Sequence, residues 1–435
     1  MTSLRSSAGL AWLFTALATV LAAATRLTNL GRVPDLIFDE VYYVKDAWSL
    51  AQLGYEGTWG DTFPAGLDPS ASFVVHPPVG KWLISLGMQW LGPENPVGWR
   101  LVPALMGVLG VFFLCRWAWL LFRSPAVVGL AGLFLATDGM HLVLSRTALL
   151  DGILTTFVLG ALWALTHDQL GPATGWRRPW LVVTGLFLGL AVGTKWSGLY
   201  VAAALGLFVV ARELVLGRRT RAVWPDGVAA FGSMIGTAAL VYLVSWTSWF
   251  THPAAWGHTG GNALSDWWRY QRQVFNFHAG LATPHPYQSH PAGWLLQLRP
   301  TSFWYQAGDQ TILALGNPLL WWFGVAALLA FAVAALWRRT WPYALVLVGW
   351  ASAYLPWFLY PDRTVFTFYT VVLSPFVALM SAWAVAELGR RVSRVLAGVL
   401  VVAILASAWF FWPIWTGAPL GPGGFMARMW LRSWI

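Results

Sequence analysis

This 435-residue sequence is short of nearly everything a soluble protein is built from. It has one cysteine, three lysines among 27 basic residues, and a charged fraction of 10%. A water-soluble domain carries about 25%. The lone Cys115 lies inside an apolar stretch, which excludes a disulfide within the chain and a cysteine metal cluster. No internal repeat is visible, which counts against an inverted-repeat transporter. The formal charge of +10 is no nucleic-acid footprint, because the basic residues are dispersed at the ends of apolar segments, where membrane orientation uses them. No nucleic-acid partner is expected. What the chain does have is 58% hydrophobic residues and 32 tryptophans, the composition of a polytopic membrane protein with much interfacial surface.

Apolar stretches recur along the whole length, and hydropathy predicts an all-α membrane protein of about eleven transmembrane helices. They fall near residues 8–26, 98–122, 125–141, 148–167, 179–196, 197–216, 227–249, 317–337, 341–359, 364–387 and 395–412. The run from Ala8 to Thr25 is longer than a signal-peptide core and is read as the first span. With the N-terminus and Arg5 in the cytoplasm, the cytoplasmic turns collect Arg116 and Arg123, Arg177 and Arg178, Arg212, Arg218, Arg219 and Arg221, Arg338 and Arg339, and Arg390, Arg391 and Arg394. The short outer turns are poor in basic residues, so the alternation predicts the C-terminus outside. Spans three to six are short and closely spaced, the expected place for tilted or re-entrant segments.

The chain reads as one transmembrane domain, 1–435, with two long outer segments, 27–97 and 250–316. Eight of the 17 acidic residues lie in the first: Asp35, Asp39, Glu40, Asp46, Glu56, Asp61, Asp68 and Glu94. Lys81 to Trp90 reads as a helix lying in the interface, with Trp82, Leu83, Leu86 and Trp90 apolar. Polar residues at membrane depth are costly unless they face a cavity. Arg100, the cluster His141, Arg146 and Asp151, then Lys195, and then Asp362-Arg363 all approach the same outer surface as Asp39-Glu40. One outward polar cavity is the reading that unites them. Its cations Arg100, Lys195, Arg363 and Lys81 suit a phosphate headgroup, and its carboxylates suit general-base work or a metal. The competing readings are snorkelling anchors and interhelical salt bridges for the cations, and helix-dipole complementation for Asp39-Glu40.

Several segments resemble the protein O-mannosyltransferase family, in family order over about residues 30–370. Phe38-Asp39-Glu40-Val41-Tyr42-Tyr43 resembles its acidic first-loop motif, and His76-Pro77-Pro78-Val79-Gly80-Lys81 its HPPxGK segment. Arg100-Leu101-Val102-Pro103 is similar to its RxVP start of the second span, and Arg146 to Asp151 to its third turn. His285-Pro286-Tyr287-Gln288-Ser289 with Trp294 resembles HPYxS…W, and Tyr354-Leu355-Pro356-Trp357 with Arg363 resembles YLPW…R. Length and composition look like an actinobacterial member. Two departures stand out. Segment 250–316 is too short for the β-trefoil insertion of eukaryotic members, and Phe368 stands where a histidine is expected before Tyr369.

The resemblance implies a GT-C-type multispanning glycosyltransferase of the plasma membrane, with its site on the extracytoplasmic side. Its donor lipid would be polyprenyl-phosphate-mannose, and its acceptors Ser/Thr-containing proteins during or after Sec translocation. It further implies Asp39 as catalytic base, Glu40 as its support or as a group orienting the acceptor, and Arg100 holding the carrier phosphate. Lys195 and Arg363 would join Arg100 on the phosphate. His76, Lys81, Arg146 and Asp151 would line the site, and His285 and Tyr287 would belong to the loop covering it. Transfer from a β-linked donor to an α-linked product is a single inverting displacement. It requires no cofactor, although Asp39, Glu40 and nearby histidines are compatible with a divalent cation. The alternatives are another lipid-linked sugar, a glycolipid acceptor, or a transporter of the lipid-linked sugar. The last needs polar residues on both faces, whereas the cytoplasmic turns are almost all arginine.

Overall fold

A computed structural model describes residues 2–171, 175–215, 223–306 and 310–435. Arg218, Arg219 and Arg221, and the side chain of Arg5, lie outside the described residues. The helices in chain order are α1 (Thr2–Leu27), α2 (Glu40–Leu53), α3 (Val79–Leu91), α4 (Pro96–Phe122), α5 (Pro125–Ala136), α6 (Gly139–Arg146), α7 (Leu150–Leu170), α8 (Pro179–Thr194) and α9 (Gly198–Val215). Then come α10 (Val223–Phe231), a π turn at Gly232–Gly236, α11 (Thr237–Ser245), α12 (Thr247–Thr251) and α13 (Ala263–Gly280). The chain ends with α14 (Pro318–Arg338), α15 (Trp341–Tyr354), α16 (Ser374–Arg391), α17 (Arg394–Thr416) and α18 (Gly424–Arg428). Strands β1 (Gly57–Trp59) and β2 (Leu67–Ala71) pair as one antiparallel hairpin, and β3 (Thr301–Gln306) and β4 (Gln310–Ala314) as another.

Among the described residues, eight helices are long and apolar enough to cross a membrane, or nine if the bent pair α5–α6 counts as one span. The eleven apolar segments of the sequence coincide with these nine, the shorter α8 and the 18-residue α9. Helix starts follow from local chemistry. Asn95, Ser124 and Asn317 each accept a backbone N–H at their helix N-terminus, and the proline that follows each has no N–H to strand.

The 56° bend between α5 and α6 falls among the short spans and has identifiable partners. Asp138 caps α6, accepting from His141 N, Asn317 N and the Trp321 indole. Arg26 donates to the last carbonyls of α5, Leu135 and Ala136, and meets His141 Nδ1 at 2.8 Å. Thus His141 belongs to a buried helix-end brace.

Helix α7 runs through the middle of the bundle, buried along almost its entire length. Asp151 is in its first turn and Asp168 near its last, roughly 25 Å apart at 1.5 Å per residue. At the Asp168 end, Arg178 bridges Asp168 and Glu213, and Glu387 gathers Arg338, Arg390 and Arg391. The Asp151 end carries the other polar set. Segment 27–97 folds there as α2, the first hairpin and α3. Helix α3 presents Leu86 and Trp90 outward and buries Lys81, Ile84 and Met88, with Trp82 and Leu83 half-buried. Gly87 lets α3 approach α4 closely, because a Cβ there would lie 2.2 Å from the Gly98 carbonyl oxygen.

Candidate active site

Asp39 stands at the N-terminus of α2, after Phe38 in the left-handed region with φ 49°. A bulky residue there carries strain of about 1–3 kcal/mol, so the surroundings must hold it. They do: the Phe38 ring stacks on Phe303 at 4.4 Å and meets Phe368 edge-on at 5.3 Å. Phe368, the residue in place of the expected histidine, is thus a packing partner of the residue beside Asp39.

Asp39 makes no side-chain cap hydrogen bond to α2, and its carboxylate has no hydrogen-bond partner among the described residues. Glu40 Oε2 instead accepts from Ile37 N in the turn that leads into α2. Glu40 is wholly buried and holds Arg100 bidentately, Nε to Oε1 at 2.8 Å and Nη2 to Oε2 at 2.6 Å. Oε1 also accepts from Ala148 N, and Arg100 donates onward to the carbonyls of Val33 and Asp35. Every polar group of this pair is therefore engaged within the protein. The two brace α2 against α4 and the start of α7, an arrangement that leaves Arg100 engaged within the protein rather than open to a phosphate, and that gives Glu40 the supporting place beside Asp39, one of its two expected roles. Arg146 is also structural, donating to the carbonyls of Thr25, Arg26, Thr28 and Asn29 at the end of α1. Lys81 is buried in an ion pair with Glu56.

The residues that do gather around Asp39 come from three other places: Asp151 on α7, Lys195 after α8, and Tyr369 in the turn before α16. Lys195, just past α8, binds both oxygens of Asp151 at 2.9 Å and lies 4.5 Å over the Tyr369 ring. Burial is the main cause that lifts the Asp39 carboxyl to about 6; Lys195 opposes it and Asp151 adds to it. Next to them opens a cleft of about 310 Å³ lined by His76, Lys195, Trp196, Tyr200, His278, Trp357 and Arg363, among others. Its size is at the lower end of small-ligand sites, about 300–1,000 Å³. Exposed Leu199 and Phe275 give it an apolar lip. His76 is held neutral by burial first, then by surrounding cations, and it stacks on His278 at 5.2 Å.

His285 and Tyr287 sit one layer away. The His285 ring meets Phe366 edge-on at 5.0 Å, Tyr287 N donates to His285 Nδ1, and Arg299 covers the Tyr287 ring. They border the aromatic cluster around Phe38 and lie outside the cleft. Sequence reasoning missed His278, Trp196 and Tyr369. For His278 the available signal was its place on the last turn of an amphipathic helix in segment 250–316, two turns after Tyr270. Among the described residues, no three His, Cys, Asp or Glu side chains converge as a metal site.

The family model for dolichyl-phosphate-mannose-protein mannosyltransferase matches residues 16–225, and that for the C-terminal four-transmembrane region of protein O-mannosyltransferase matches residues 263–434. A polyprenol-phosphate-mannose–protein mannosyltransferase of Mycobacterium tuberculosis is 34% identical over 97% of this chain and 92% of its own length. The chain belongs to the protein O-mannosyltransferase family. It is therefore a glycosyltransferase. A Corynebacterium glutamicum protein of the same name is 32% identical over 96% of this chain and 92% of its own. Among solved structures, the Saccharomyces cerevisiae protein O-mannosyltransferase Pmt1-Pmt2 complex bound to the sugar donor superimposes with a TM-score of 0.81 at 16% identity, over 98% of this chain and 92% of that one. ArnT from Cupriavidus metallidurans bound to undecaprenyl phosphate gives 0.61 at 18% identity, over 93% and 64%. The GT-C-type membrane fold expected of a protein O-mannosyltransferase is thus the fold observed.

Proposed function

We propose that this protein transfers mannose from polyprenyl-phosphate-mannose to Ser and Thr hydroxyls of secreted and membrane proteins, during or after Sec translocation, at the outer face of the plasma membrane. The observation that carries the reading is an Asp39 carboxylate with no hydrogen-bond partner among the described residues, near Lys195, which with Arg363 lines an apolar-lipped cleft. The family relatives named for the same reaction support the choice of sugar and acceptor.

In the reaction, Asp39 accepts the proton of the acceptor hydroxyl as its oxygen attacks the anomeric carbon. The bond from that carbon to the phosphate oxygen breaks, and its electron pair stays on the phosphate. Lys195 and Arg363 stabilise the negative charge that develops there. One carboxylate suffices, because the phosphate leaves as an anion and needs charge stabilisation more than protonation. Inversion follows from attack opposite the leaving group. Arg100 is assigned no direct role; with Glu40 it fixes the first turn of α2 and so the position of Asp39.

The test is reconstitution with polyprenyl-phosphate-mannose and a Ser/Thr-rich peptide, read by mass spectrometry. The peptide should gain one hexose, and Asp39→Asn should lose roughly 10²–10⁴-fold in rate while still binding carrier lipid. Near-normal turnover by Asp39→Asn would sink the assignment of the base. Transfer to lipid but not to peptide would sink that of the acceptor.

A further inference from the structure

We propose that His278 is a positioning residue that holds the Arg363 guanidinium toward the cleft, and that α13 thereby ties the two outer segments into one donor site. The inference rests on the reading of Arg363 as a phosphate ligand.

Three contacts carry it. The extended stretch before the HPPxGK motif runs along α13. There the Tyr270 hydroxyl donates to the Val74 carbonyl at 2.9 Å and accepts from Val74 N at 3.3 Å. Two turns further on, His278 Nε2 meets the Val75 carbonyl oxygen at 2.9 Å. A carbonyl can only accept, so this nitrogen bears the ring proton and Nδ1 keeps its lone pair. That lone pair faces Arg363 Nη2 at 3.2 Å. The chain of bonds therefore runs in one direction: Arg363 donates to His278, and His278 donates to Val75.

The state of the ring agrees with this geometry. Burial pushes the His278 imidazole down to about 4, the Val75 carbonyl resists, and Arg363 and Lys195 push it further down. The ring is neutral at neutral pH and can accept from a cation. A neutral acceptor also leaves the charge of Arg363 intact, which a carboxylate partner would not. This contrasts with Arg100, whose charge Glu40 neutralises, and with Lys195, which is shared with Asp151. Arg363 Nε is buried with no protein partner, and its guanidinium lies 5.6 Å over Trp357, so the group is held by its neighbours and still has a free donor. Because Val75 adjoins His76, which stacks on the same ring, movement of His278 would displace two residues of the cleft wall at once.

The two ring nitrogens can be tested separately. In His278→Asn, the amide oxygen takes the place of Nδ1 and can accept from Arg363, whereas the Val75 bond is lost. In His278→Gln, the amide nitrogen reaches toward Val75 and the Arg363 acceptor is lost. Initial rates are measured with polyprenyl-phosphate-mannose and peptide varied separately, alongside Arg363→Gln, the double variant His278→Gln with Arg363→Gln, and thermal melting of each. The expectation is a donor KM raised about tenfold in His278→Gln with peptide KM little changed, and within about threefold of wild type in His278→Asn. The double variant should match Arg363→Gln alone. Equal loss in the Asn and Gln variants in proportion to melting temperature would overturn the proposal in favour of a packing role. An effect of Arg363→Gln on donor KM with none from His278→Gln overturns it while leaving Arg363 as a ligand. No effect from either overturns both.

Discussion

The raised Asp39 carboxyl makes the pH profile of kcat/KM a direct test of the base. The perturbation is acidification from pH 8 to pH 5. A general base works only when ionised, and kcat/KM follows the free enzyme. With Asp39 at about 6, the ionised fraction is about 0.9 at pH 7, about 0.5 at pH 6 and about 0.1 at pH 5. Activity should therefore fall roughly tenfold from plateau to pH 5 with unit slope. With the ordinary value of 3.8 the loss at pH 5 would be only about 6%. The neighbouring histidines do not obscure this limb: His76 is pushed well below its ordinary value and His278 to about 4, so both stay neutral. The group that could mimic it is Asp46, lifted to about 7 by burial against the opposing pull of Lys81. Asp46→Asn is the control, and the limb near pH 6 should survive it. Lys195→Met removes the cation that holds Asp39 down and should move the limb above 6 while raising donor KM. The assay is initial-rate transfer to peptide in buffers of constant ionic strength. A profile flat to pH 5, or one abolished by Asp46→Asn, would refute the assignment.

The same shift has a consequence for stability. A carboxyl raised on folding favours the fold below its unfolded value, and that contribution is lost as pH rises toward 6. Asp39→Asn should thus melt at or above the wild-type temperature at pH 7.5, and a clear drop would show that Asp39 is structural. Arg100→Ala leaves Glu40 buried and uncompensated, so about 3–5 kcal/mol of destabilisation is expected, seen as lost yield and melting temperature. A folded Arg100→Ala protein with only a raised donor KM would restore Arg100 as a phosphate ligand. Gly87→Ala drives a methyl into the Gly98 carbonyl and should destabilise by at least about 1–3 kcal/mol; an unchanged melting curve contradicts the close approach of α3 and α4. Chelator should leave turnover unchanged, since Lys195 already supplies positive charge beside Asp39 and Asp151; loss of activity restored by a divalent ion would overturn this.

How much of this was legible in the sequence depends on the range over which each residue acts. The spans were legible because their cause is local: some 20 apolar residues, a proline at the start and arginine at one set of ends. Asp39 was legible because an acidic pair in an apolar chain is costly whatever surrounds it. The fates of the arginines were not. Arg100, Arg146 and Arg363 all read as cations near one surface, yet one is matched to a carboxylate 60 residues away, one caps α1 across more than a hundred residues, and one faces a cleft. Only tertiary packing separates these cases, because the same guanidinium serves equally as ion-pair partner, carbonyl cap or anion ligand.

The separation of Asp39 from Glu40 follows from that packing. Two adjacent carboxylates at a helix start are interchangeable as complements to the helix dipole, and the sequence treats them so. What distinguishes them is their surroundings past the left-handed backbone at Phe38: Glu40 enters the bundle toward Arg100 and Ala148, while Asp39 lies near the charges of Lys195 and Asp151. Glu40 is fully satisfied and therefore fixed; Asp39 is desolvated yet unsatisfied. A fixed neighbour holding an unsatisfied group in place is what base catalysis requires, since the proton acceptor must be both positioned and free. The strained Phe38 and its aromatic packing against Phe303 and Phe368 are thus part of how Asp39 is presented.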